Sequence, residues 1–149
     1  MSTYITNASF PDTLGPEGGL PVEVLGPVTV TREATDLAET ATGAAAQAVV
    51  LTLPAVPGQF HFLTHLEITL YTTGVRIGQA TPVTVTSANL PGSPAWTFPS
   101  AGATGTCATQ VMSPAKPLKS ATAGTATQIL CPVTPNALWR VNVWYEAHP

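Results

Sequence analysis

From residue 48 to the C-terminus the chain is written in short runs that alternate apolar and polar residues, most of them closed by proline or glycine. A period of two belongs to extended strands, whose side chains point in turn to opposite faces, and the interruptions leave no room for a long helix. The longest run, residues 59–71, reads QFHFLTHLEITLY. With an unbroken period, Phe60, Phe62, Leu66, Ile68 and Leu70 share one face with Thr64. His61, Leu63, His65, Glu67, Thr69 and Tyr71 share the other. The first face is the expected core side of a central strand, and the second is a semi-polar contact surface.

The other runs follow the same rule. Residues 48–56, AVVLTLPAV, place Val49, Leu51, Leu53 and Ala55 together and close on Pro57-Gly58, which predicts a hairpin with the central strand. Val83 with Val85, Trp96 with Phe98, and Trp139, Val141, Val143 and Tyr145 form further inward sets. Residues 20–33 read as two extended pieces hinged at Gly26-Pro27. Residues 34–47 offer Leu37 as their one large apolar side chain, too little to seat a helix, and read as a loop with at most one helical turn. Residues 1–19 are dense in proline and glycine and read as an extended arm with apolar anchors. The expected organisation is an arm, 1–19, and a β domain, 20–149. Seven to nine short strands without βαβ alternation predict an all-β fold, an antiparallel jelly-roll-like β-sandwich before an immunoglobulin-like one.

Charge narrows the function classes. Charged residues make up 9% of the chain, against roughly 25% in an ordinary soluble domain, which favours life inside an assembly over a free monomer. Residues 1–40 hold six acids against Arg32, and residues 41–149 hold Glu67 and Glu146 against Arg76, Lys116, Lys119 and Arg140. Four scattered cations make no basic stripe, so no nucleic-acid partner is expected. No apolar run is long enough for a membrane helix, and the N-terminus lacks the pattern of a signal peptide, so synthesis and assembly in the cytosol are expected. With 44% hydrophobic residues in regular alternation, wholesale disorder is excluded.

Motifs for chemistry are sparse. His61 and His65 would share a metal on a helix, but on a strand they stand roughly 13 Å apart, too far for one ion. Cys107 and Cys131 form no CxxC pair and are expected to be reduced. There is no nucleophile elbow and no phosphate loop. Glu67 and Glu146 are the only acids of the later chain and give weak support to a glycosidase pair. The expectation is no catalytic residue, no metal ligand set and no cofactor. Trp144, on the opposite face of its strand from Trp139, reads as an interface residue.

An acidic, Pro/Gly-rich arm, the segment LPVEVLGPVTVT, a Thr/Ala/Val-rich β body containing VVLTLPAVPGQFHFLTHLEITLY, and the ending LWRVNVWYEA together resemble the capsid decoration (cement or auxiliary) proteins of tailed bacteriophages. The resemblance is one of layout over the whole chain. It implies a virion protein made in the host cytoplasm, a homotrimer seated on the outside of the shell where major capsid subunits meet, and no active site. On that expectation Tyr4, Ile5, Phe10 and Leu14 are the arm's capsid contacts, and His61, His65, Tyr71 and Trp144 form the subunit interface. The rival expectation is a tail, fibre or carbohydrate-binding sandwich module.

Overall fold

The computed structural model describes residues 36–149, and their regular structure is all strand. The strands are β1 (Leu37–Thr42), β2 (Val49–Leu53), β3 (Phe60–Thr72), β4 (Val83–Ala88), β5 (Trp96–Phe98), β6 (Cys107–Met112), β7 (Leu118–Lys119), β8 (Thr127–Cys131) and β9 (Ala137–His148). They form two antiparallel sheets, ordered β1-β9-β3-β6 and β2-β8-β4-β5, with β7 also paired to β3. The expected all-β architecture is therefore present. The expected arm, with Tyr4, Ile5, Phe10 and Leu14, lies outside the described residues.

The core forms between the two inner faces. Leu66, Ile68 and Leu70 of β3 and Trp139, Val141 and Val143 of β9 meet Leu51 and Leu53 of β2, Val85 of β4, Phe98 of β5 and Ile129 of β8. Trp139 and Phe98 meet edge to face, with ring centroids 5.0 Å apart. Each such side chain contributes roughly 1.5–3 kcal/mol by leaving water. The indole N–H of Trp139 is not wasted in the core: it donates to the Pro132 carbonyl at 2.8 Å.

Three expectations need correction. The first is the hairpin between β2 and β3. The turn does form, with Gln59 N donating to Val56 O, but β2 pairs with β8 and β3 with β9. Pro57-Gly58 carries the chain from one sheet to the other, and the apolar faces of the two strands meet across the core. The second is residues 34–47. Leu37–Thr42 is a strand on the edge of its sheet, held along its whole length by β9. Its Thr- and Ala-rich sequence shows little periodicity because most of it is exposed.

The third concerns the central strand itself. Leu63 pairs with Tyr145 and His65 with its neighbour Trp144, so Thr64 is an extra residue in a β-bulge. Its hydroxyl donates to the Trp144 carbonyl at 3.1 Å. The bulge resets the alternation. On its C-terminal side Leu66, Ile68 and Leu70 point inward as expected, but on its N-terminal side it is His61 and Leu63 that are buried. Phe60 and Phe62 turn to the outside, the reverse of the expected assignment.

Candidate functional site

The outer face of the β1-β9-β3-β6 sheet carries the expected interface residues, apart from His61. Antiparallel register lines its side chains up in cross-strand rows. Ala38, Trp144 and His65 form one row; Thr40, Asn142, Glu67 and Val111 the next; then Thr42, Arg140, Thr69 and Thr109; then Leu138, Tyr71 and Cys107. Hydrogen bonds stiffen the rows, from Thr40 Oγ1 to Asn142 Oδ1 at 3.0 Å and between the Thr69 and Thr109 hydroxyls at 3.1 Å. Threonine suits these positions because its branched Cβ favours strand and its hydroxyl pairs with a neighbour.

Trp144 and Tyr71 stay 40% and 37% exposed on this face. The His65 ring meets Trp144 edge-on at 4.9 Å, and its Nδ1 bonds the hydroxyl of Ser113. With Asp36 and Thr64 these two rings line an open recess. The bulge builds this arrangement: Thr64 holds the Trp144 backbone, and the extra residue sets His65 opposite Trp144.

Beyond the bulge the same outer face carries a second group, built on Phe60 and Phe62, which unbroken alternation had turned inward. Phe62 stacks on His148 at 3.9 Å, nearly parallel. Lys119 Nζ lies 3.6 Å above the centre of the Phe60 ring, and His148 Nε2 is 3.4 Å from Glu146 Oε2. These rings are engaged by the chain's own partners, while Trp144, beside His65, keeps 40% of its surface exposed. The signal that could have revealed them is the phase change at Thr64, which no single residue type announces.

His61 is withdrawn from the outer face. It is 2% exposed and packs edge-on against Tyr145. Its Nδ1 is 2.8 Å from Thr127 Oγ1, and its Nε2 is 3.0 Å from the Pro54 carbonyl. It joins the two sheets and has no surface to offer a neighbour. The bulge also puts His61 and His65 on opposite faces, and among the described residues no three His, Cys, Asp or Glu side chains gather as a metal site. Glu67 and Glu146 both face outward, but Glu67 pairs across to Asn142 and Glu146 to Phe62, four residues apart along β9. Cys107 is exposed, Cys131 is buried and both are free; burial pushes the Cys131 thiol up to about 12. Trp139 is fully buried and Trp144 is not, as their opposite registers required.

No helix among the described residues is long and apolar enough to cross a membrane. Compared with known proteins, the chain matches no family model, no curated protein and no solved structure.

Proposed function

We propose that this protein is a structural component of a larger assembly, a decoration protein of the tailed-bacteriophage type that binds the outer surface of a capsid as a trimer and stabilises it. The observation that carries this reading is the outer face of the β1-β9-β3-β6 sheet, where Trp144 and Tyr71 lie exposed on either side of the rows that hold Thr40, Asn142 and Glu67 and Thr42, Arg140 and Thr69. Exposed aromatics with a polar surround are what protein interfaces use as anchors. A chain with so few charges has little other means of holding neighbours apart.

The strand order supports the jelly-roll form of the sandwich. With the two-residue β7 set aside and the rest renumbered, the sheets read 1-8-3-6 and 2-7-4-5, the arrangement of two interleaved Greek keys. That fold serves capsid and lectin domains alike, so the function rests on the face and not on the topology. Binding only the assembled shell stabilises it by mass action, and several contacts per trimer add avidity.

A second reading, a carbohydrate-binding module, draws on the recess where Asp36 lies beside Trp144, since sugars stack on an indole and bond a flanking carboxylate. Light scattering and co-sedimentation with empty capsids separate the two. A trimer that sediments with shells, and loses shell binding in Trp144→Ala, supports the first. A monomer retained on a polysaccharide column overturns it in favour of the second.

A further inference from the structure

The three most exposed large hydrophobic side chains among the described residues, Ile77, Val75 and Val133, gather around one cation, Arg76. They line a groove of about 530 Å³ where the β3–β4, β5–β6 and β8–β9 connections meet. Aliphatic side chains left in water so close together mark a binding surface more often than chance exposure.

The groove is held open by hydrogen bonds between its walls. Arg76 N donates to Gly102 O at 2.9 Å, and Gly102 N returns a bond to Arg76 O. Asn136 Nδ2 donates to Val75 O at 2.9 Å, and Thr73 N to Asn136 O at 2.8 Å. Ser100 Oγ accepts from Gln79 N and donates to Gln79 O. A preformed groove loses little freedom when filled.

Its chemistry specifies the occupant. A guanidinium is matched best by a carboxylate, which can take two parallel hydrogen bonds. Among the described residues the one ion pair is His148–Glu146, so no described carboxylate serves Arg76. Partial burial pulls the Arg76 guanidinium below its ordinary pKa, a desolvation that an acidic partner would offset. Val75-Arg76-Ile77 is an apolar–cationic–apolar triplet, and its chemical complement is an apolar–acidic–apolar one. Outside the described strands the chain contains such a triplet at Val22-Glu23-Val24, within LPVEVLG at 20–26. Residues 1–35 carry four acids against Arg32 alone.

We propose that the Arg76 groove receives residues 20–26 of a second copy of this chain, with Glu23 against Arg76 and the two valines on the aliphatic rim. The contact rests on the assembly reading above but uses a different surface from the Trp144 face.

Charge reversal in the full-length protein tests it. Arg76→Glu and Glu23→Arg, made singly, should each shift the protein toward its 15.3 kDa monomer in light scattering, with circular dichroism and melting unchanged. An equimolar mixture of the two variants should associate where each alone does not, because each supplies what the other lacks. Val133→Ser, which removes rim and leaves the charge unchanged, should weaken association as well. Single variants that keep the wild-type mass, or a mixture that stays monomeric, overturn the proposal. If Trp144→Ala lowers the mass while the charge reversals do not, the groove fails and the outer-face reading stands. The opposite pattern sinks the outer-face reading and keeps the groove.

Discussion

Nδ1 of His61, on β3 of one sheet, lies 2.8 Å from Oγ1 of Thr127, on β8 of the other. On the far side of the ring Nε2 meets the Pro54 carbonyl, which can only accept, so Nε2 carries the hydrogen. In the neutral ring Nδ1 then accepts from the Thr127 hydroxyl. That hydroxyl oxygen in turn accepts from Asn89 Nδ2 at 3.2 Å. A single directed chain of donors thus runs from Asn89 through the buried Thr127 and His61 to Pro54, and ties β3 to the strands of the other sheet. The backbone at His61 is latched as well, with Ser120 N donating to His61 O at 2.7 Å.

Replacing His61 by leucine takes the acceptor from the buried Thr127 hydroxyl, whose oxygen keeps Asn89 Nδ2, and leaves the carbonyl of the exposed Pro54 to solvent. The expected cost is roughly 1–3 kcal/mol, that of one buried polar group left without its partner. His61→Leu with Thr127→Val should recover part of the loss. Urea denaturation measures both. A single variant within about 0.5 kcal/mol of the parent would remove His61 from the account of stability.

Deleting Thr64 should be tolerated. Without it Leu63 points inward, His65 outward and Leu66 inward, and the pairings of Leu63 with Tyr145 and His65 with Trp144 become adjacent. Deleting Thr69 from the same strand instead flips every residue on one side of the cut to the wrong face. Cooperative melting is expected for the first deletion and none for the second. Equal damage from both would show that the bulge is not where the register changes.

Trp144→Ala and Tyr71→Ser should change assembly and leave the fold alone. Both side chains are largely free of the core, so a stability change of about 1 kcal/mol or less is expected. Molecular mass by light scattering should fall while the melting curve barely moves. A large drop in melting temperature would instead mark these residues as structural.

Alkaline pH should unfold the protein through Cys131. Burial holds its thiol protonated up to about 12, against an ordinary 9.0 in the unfolded chain. Below pH 9 both states keep the proton and stability is unaffected. Above it the unfolded chain loses the proton first, so stability falls from about pH 9 toward 12. Tyr145 adds in the same direction, its phenol raised by burial and then by the charge of Glu39. Cys131→Ala should flatten the profile. A thiol reagent should label Cys107 alone in the native protein and both cysteines in denaturant; two rapid native labels would contradict the burial of Cys131.

Much of the sheet pattern was legible because strand alternation is local. Val49, Leu51 and Leu53, and Trp139, Val141, Val143 and Tyr145, are buried as their spacing demands, while Ala55, expected with the first set, lies past the end of β2 and is exposed. The outward register of Trp144 follows from the same count. β1 escaped because an exposed edge strand has no apolar face to betray it, and its partner β9 lies about a hundred residues away. The Arg76 groove escaped because Val75, Ser100 and Val133 meet only when three distant connections come together.

The stretch at 59–71 marks the division. Composition and alternation alone determined that it is a strand with a core face, since burying five apolar side chains at a period of two admits no other regular form. Which residues occupy that face was decided by tertiary structure. β9 offers one residue, Trp144, where β3 has two, and the inserted Thr64 turns His61 inward and Phe60 and Phe62 outward. A pairing partner is chosen by the whole sheet, and only the partner can tell a strand where to skip a residue.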